Sequence, residues 1–304
     1  MKQQSPNTGI YNTLIDQLDK VARHNRQGSF RTKERYYEAM KRFCRFLAEY
    51  FRIKKLSNIN AKHLNAYIIK MQEDGKSAST IKTDLAAIRF FHDKMSQTKY
   101  RLPSNDELSV QLERRRFTGI DRTWTQEEFH RMLTRALAED RYDYILALYL
   151  APYAGLRIHE CFRIDTAAAA QALKEMALTV KGKGGKIRTV PINDAIFLAM
   201  QKQLGRTSRG HKLLVPEDLP TDTAIHRLQS FIAIHRATIQ TKDVSHPLTF
   251  HGLRHTYAAE TYQTLIDRGV PPLEASLQVS RLLGHERKDV TNIYLASIKE
   301  GTDD

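Results

Sequence analysis

A single stretch of this 304-residue chain reads as β structure, and it is short. Leu178-Thr179-Val180-Lys181 reads as a strand, Gly182-Lys183-Gly184-Gly185 as a turn, and 186–192 as the returning strand, which together make a hairpin. Most of the rest repeats its apolar residues at steps of three and four, the period of helices that bury one face. The expected class is mainly α with a small β-hairpin.

Breaks in that helical pattern divide the chain. Residues 1–28 form a polar N-terminal extension with one helical candidate at 11–21, closing on Asn25-Arg26-Gln27-Gly28. Residues 29–116 read as a small helical bundle. Tyr36, Met40, Phe43, Leu47 and Tyr50 share a stripe over 32–51. Asn60 and Ser77 read as caps of the next two helices, with Asp74-Gly75 as the stop between them. A last short helix is expected at 106–115. Arg114-Arg115-Arg116-Phe117-Thr118-Gly119 is the linker candidate, and 117–304 is the second domain. There Thr125 and Glu128 read as a capping box. Helices are expected at 165–172, 195–203, 222–234, 252–267 and 272–283.

Charge narrows the partners. Residues 1–116 carry 24 Lys and Arg against 12 Asp and Glu, whereas 117–304 carry 24 against 22. A basic first segment suits a polyanion, because each neutralised phosphate releases counterions. Lys76, Lys82, Arg89 and the Arg114-Arg115-Arg116 run are candidate backbone contacts. No stretch approaches the length of a membrane span, and the polar start lacks a secretory signal. Cys44 and Cys161 are the only cysteines and form no CxxC pair. That argues against a disulfide framework or a zinc site, and it fits a reducing cytoplasm.

Four local groupings could carry chemistry. Gly155-Leu156-Arg157-Ile158-His159-Glu160 places Arg157 in a first helical turn, where its fork could take a phosphate and Glu160 could hold it. Alone, Arg157 reads more often as a surface ion-pair residue. Lys183 on the hairpin tip could donate a proton, with Lys181 and Lys186 as rivals. His251 and Arg254, three residues apart, share a helix face and could converge on an oxyanion. His251 could also be a cap or a core histidine, and His255 and Tyr257 packing residues. Leu283-Gly284-His285 places His285 in a turn, and Tyr294 follows as one of 13 tyrosines.

Taken together, Arg157, Lys183, His251, Arg254, His285 and Tyr294 stand in the order of the tyrosine recombinase (phage-type integrase) family. Gly-Leu-Arg-Ile-His-Glu resembles its first arginine motif, and Gly-Lys-Gly-Gly-Lys-Ile-Arg-Thr-Val-Pro-Ile its lysine hairpin. His-Gly-Leu-Arg-His-Thr-Tyr-Ala resembles its HxxR helix, and Leu-Gly-His with a tyrosine nine residues later its closing motif. The resemblance implies a helical core-binding domain that grips DNA, followed by a catalytic domain. It implies that Tyr294 attacks the scissile phosphate and forms a 3′-phosphotyrosyl link, while Arg157 and Arg254 clamp the non-bridging oxygens. Lys183 would protonate the departing 5′ hydroxyl, His251 assist proton transfer, and His285 hydrogen-bond the phosphate. It also implies double-stranded DNA recombination sites as substrate, a homotetramer on DNA, and neither metal nor cofactor. The alternatives are a chromosome- or plasmid-dimer resolvase of the Xer type and, from another class, a catalytically dead DNA-binding protein.

Overall fold

The computed structural model describes residues 8–24, 30–113, 121–182, 185–241 and 246–284. Lys183, His285, Tyr294 and the Arg114-Arg115-Arg116 run lie outside the described residues. The chain divides into two units, Met1–Arg116 and Phe117–Asp304.

The described part of the first unit is helical. It comprises α1 (Thr8–Arg23), α2 (Phe30–Phe46), α3 (Ala61–Glu73) and α4 (Ala78–Asp93). Asn60 and Ser77 cap α3 and α4, their side chains accepting from Lys62 and Thr80 backbone amides. Leu14, Leu18, Phe43, Leu64, Ile68, Leu85 and Ile88 fill the core. At its centre the buried Asp84 carboxylate accepts from Arg42 Nη2 at 2.8 Å and Tyr67 Oη at 3.0 Å, tying α2, α3 and α4 together.

Two expectations fail here. The stripe over 32–51 is not one α-helix, because residues Leu47–Phe51 form a π-helical turn ended by Arg52 in the left-handed region. The wider turn rotates the following residues, so Tyr50 leaves the buried face and is 58% exposed. The expected helix at 106–115 is absent through its described residues, 106–113. Leu108, Val110 and Leu112 pack on the core at steps of two, the spacing of an extended chain. Ser104 N and Arg101 instead engage the Glu107 carboxylate in a local turn. Arg89, a candidate phosphate contact from the sequence, is drawn into the same region. Its Nε donates to Pro103 O at 2.7 Å and its Nη1 to Asn105 Oδ1 at 2.9 Å.

The second unit is built around α6 (Tyr142–Ala154), which packs against α5 (Gln126–Ala138), α9 (Asp194–Leu204) and α11 (Phe250–Asp267). Between them come the short α7 (Ile158–Cys161) and α8 (Thr166–Glu175). Strands β1 (Ala177–Lys181) and β2 (Ile187–Pro191) pair antiparallel, Lys181 opposite Ile187. Leu178, Val180 and Val190 point into the core from the hairpin. Helices α10 (Thr221–Ile239) and α12 (Pro272–Leu282) complete the unit. Thr125 and Glu128 form a capping box at the start of α5, and the Glu128 carboxylate also accepts from Thr241 N at 2.8 Å.

A strap of extended chain, residues 121–124, crosses the first turn of α11. Trp124 Nε1 donates to Thr249 O at 3.0 Å, and Trp124 N to Thr256 Oγ1 at 2.9 Å. A Cβ at Gly252 would stand 2.4 Å from Arg122 O and 2.8 Å from Trp124 Nε1. Glycine is required there by this approach. Gly252→Ala should therefore destabilise the chain by about 1–3 kcal/mol, the usual cost of overpacking, despite alanine's better helix propensity. The chain has one tryptophan, so its emission reads the strap directly. A red shift with a lowered melting temperature is expected, and an unshifted spectrum at unchanged stability would refute the tight crossing.

Candidate active site

The strap, the α6–α7 turn, α10 and the start of α11 enclose a cavity of about 460 Å³. Arg122, Arg157, Arg236, Arg254, His159 and His251, with Gln229 and Thr249, supply its polar wall, and no carboxylate lines it among the described residues. Three of the six residues singled out from the sequence, Arg157, His251 and Arg254, thus meet at one opening.

Each is set by local chain geometry. Helix α6 ends at Gly155, whose φ of 62° is a left-handed conformation that glycine adopts without strain. A side chain there would also strike the Tyr257 ring, 2.6 Å from the position of its Cβ. The sharp turn sends Arg157 to the N-cap of α7, one position ahead of the first turn expected for it. Glu160, 2% exposed, then reaches back. Its Oε2 accepts from Arg157 N at 2.8 Å and its Oε1 from Arg157 Nη1 at 3.1 Å. Arg254 is fully buried and donates Nη1 to Gly155 O and Nη2 to Leu283 O. One guanidinium therefore joins α11 to the end of α6 and the end of α12.

Arg188 of β2 was missed as a site residue from sequence, although it lies in the hairpin motif. Its guanidinium forks onto Glu160, Nη1 to Oε1 at 2.9 Å and Nη2 to Oε2 at 2.8 Å. Glu160 is thus shared by the hairpin and by Arg157. A Cβ at Gly182 would stand 3.3 Å from Glu160 Oε1, and one at Gly284 would stand 3.6 Å from Arg188 Nη1. The residues just before Lys183 and His285 in sequence both abut this ion cluster. The missed signal was charge arithmetic: a buried glutamate beside one arginine can balance a second.

Electrostatics follow from burial and sign. Burial, then the charges of Arg254, Arg122, Arg157 and His159, push the His251 imidazole well below its ordinary range. The ring lines the cavity and is exposed there, set edge-on to the buried His255 ring at 5.2 Å. His251 is therefore neutral at pH 7 and offers a lone pair. His255, 2% exposed, is pushed down to about 3, first by burial and next by His251. Burial alone would raise Glu160, but the Arg188 fork and the Arg157 amide outweigh it and hold the carboxyl at about 2.

That last shift predicts a pH effect. The folded value lies below the unfolded one, so Glu160 stabilises the fold fully above about pH 4.5 and loses that contribution as pH falls toward about 2. The difference is on the order of 3 kcal/mol. Denaturant unfolding of the unaltered chain and Glu160→Gln should show a gap of that order at pH 6, narrowing by pH 3. A gap independent of pH would mean that the carboxylate charge is not what holds Arg157 and Arg188.

Among the described residues, no group of three or more His, Cys, Asp or Glu converges as a metal site. No described helix is long and apolar enough to cross a membrane.

Comparisons with known proteins agree with this architecture. Residues 122–300 match the model described as "Phage integrase family", and 11–99 match "Phage integrase, N-terminal". Tyrosine recombinase XerD of Halalkalibacterium halodurans is 24% identical over 301 residues, covering 93% of this chain and 92% of the relative. Tyrosine recombinase XerC of Brucella suis is 24% identical over 279 residues, covering 85% and 82%. Among solved structures, a lambda integrase(75–356) dimer bound to a COC′ core site aligns with TM-score 0.63 at 19% identity, covering 93% of this chain and 95% of that one. XerH bound to palindromic difH aligns with TM-score 0.59 at 18% identity, covering 96% and 86%. These alignments share the fold.

Proposed function

The chain belongs to the phage integrase family, and from that premise we propose that it is a site-specific recombinase, with Tyr294 as nucleophile and double-stranded recombination sites as substrate. The observation that carries the reading is the cavity where Arg157, Arg254 and His251 converge with no carboxylate among its lining residues. Such a wall suits a phosphodiester whose charge grows in the transition state.

The chemistry balances without an outside energy source. Tyr294 Oη forms a bond to phosphorus as the bond to the 5′ oxygen breaks. The phenol proton passes to a base, for which neutral His251 is suited. Lys183 returns a proton to the departing 5′ hydroxyl. Arg157 and Arg254 fix the non-bridging oxygens, and His285 adds a hydrogen bond. The 3′-phosphotyrosyl link retains the phosphodiester, so a 5′ hydroxyl can reverse the step on another strand. Residues 29–116 act as the core-binding domain and 117–304 as the catalytic domain, four protomers assembling on two sites in the cytoplasm. The similarity to XerD and XerC over most of the chain favours a dimer resolvase as the second reading, with the same chemistry.

The test uses a duplex selected from a random library by the full chain, then nicked at successive phosphates to trap the intermediate. A protein–DNA adduct resistant to SDS should form in EDTA. Cleavage that stops in EDTA and leaves no protein on the DNA would replace this reading with a metal-dependent nuclease. Binding without any adduct would leave a DNA-binding protein.

A further inference from the structure

The cavity holds more arginine than one phosphate uses. Arg157 is balanced by Glu160, and Arg254 is fixed by the carbonyls of Gly155 and Leu283. Arg122 and Arg236 line the same cavity, and neither forms an ion pair among the described residues. Arg236 buries its Nε with no protein acceptor among the described residues. Leaving a charged donor buried and unmatched is unfavourable unless an incoming acceptor supplies the missing bond. Arg236 lies in the last turn of α10, where a cation offsets the helix dipole. That role explains its charge; it does not explain a buried Nε at a cavity wall.

Arg122 reaches the cavity by a different route. The strap that carries it turns on itself and is bonded to the α11 segment through Trp124. Thr123 N and Oγ1 both donate to Asp121 Oδ1, at 2.8 and 2.7 Å, and Trp124 is bonded to Thr249 and Thr256. The contact over Gly252 then holds the backbone of Arg122 against the helix that bears His251 and Arg254. A side chain with no ion-pair or hydrogen-bond partner among the described residues is thus carried to the cavity by a backbone held against α11.

We infer that Arg122 and Arg236 form a second phosphate subsite, beside the Arg157–Arg254 clamp, that takes the phosphate adjoining the scissile one on the same strand. This rests on the recombinase reading above. A nucleic-acid strand brings the second anion covalently with the first, one nucleotide away. Gripping it away from the reacting atoms orients the scissile phosphate, and binding energy of that kind lowers the barrier by positioning.

The test uses the library-selected duplex and the full chain carrying Tyr294→Phe, so that binding is measured without cleavage. Single methylphosphonates, which remove one phosphate charge, are placed at each position around the cut. Neutralising the phosphate adjoining the cut should weaken binding about ten-fold, as expected for loss of a charged contact. Arg122→Gln/Arg236→Gln should make binding insensitive to that substitution, and shallow the salt dependence by about one per arginine. Its melting temperature, measured alongside, reads any change in the fold separately, since Arg236 also faces the α10 dipole. If the double variant is destabilised, the scan on the unaltered arginines still decides. No sensitivity next to the cut overturns the subsite, as does a double variant as sensitive as the parent. A changed base preference in the selected site would make these residues base readers and overturn it equally. Failure of the recombinase reading shows separately, as absence of any adduct with Tyr294 intact.

Discussion

Tyr294→Phe should bind the selected duplex within about two-fold of the unaltered chain and form no covalent adduct, a loss on the order of 10⁴ or more in cleavage. The substitution removes one oxygen and keeps the ring. A phenol titrates near ~10 and is a poor nucleophile at neutral pH unless cations favour its anion. In the proposed mechanism Arg157 and Arg254, which line the cavity, serve that purpose. Denaturing gels of the trapped reaction measure the outcome. An adduct that survives in the variant would move the nucleophile to another tyrosine. Tyr257 is the first rival, because its ring lies against Gly155, two residues before Arg157. Burial pushes its hydroxyl up, so it is less ready to ionise than an ordinary phenol. Peptide mapping of the adduct separates the two, and a link on Tyr257 would overturn the assignment.

What could be read from the sequence depended on whether a residue's surroundings are local. Asn60, Ser77 and the Thr125–Glu128 box were legible because a cap is decided within one turn. The hairpin was legible because Gly182 and Gly185 interrupt two β-rich runs. Helix α6 is apolar on nearly every side, so no stripe announces it and its end is marked only by Gly155. The π-turn at Leu47–Phe51 was invisible because the apolar spacing is the same until the backbone widens. Leu108, Val110 and Leu112 carried the extended signal in their steps of two, against the helix expected at 106–115. In the site, Arg157, His251 and Arg254 were named from motif order. Arg188, Arg122 and Arg236 were not, because Arg188 takes its meaning from a partner 28 residues away and the other two from a cavity they line without an ion pair among the described residues. Contacts across the fold leave no periodic trace.

Arg254→Ala should damage both the fold and the chemistry, and Arg254→Lys should separate them. The side chain is wholly buried and ties the carbonyls of Gly155 and Leu283 to α11. Truncation leaves a cavity and two carbonyls without that donor, at a combined cost of about 3–5 kcal/mol. Denaturant unfolding would read that loss. It would also remove one arm of the phosphate clamp, costing on the order of 10²–10³ in cleavage rate. A guanidinium has five donors in a planar fork, so it can bond both carbonyls and still face a phosphate. A lysine keeps the charge, but its single ammonium cannot span the same points. Arg254→Lys should therefore recover part of the stability and little of the rate. Single-turnover trapping with a nicked duplex, at protein concentrations above the dissociation constant, removes binding from the comparison. If the lysine variant cleaves at the unaltered rate, charge alone suffices and the fork is structural. If the alanine variant folds and cleaves normally, the phosphate is held elsewhere, and the convergence of Arg157, His251 and Arg254 on one cavity is not the active site.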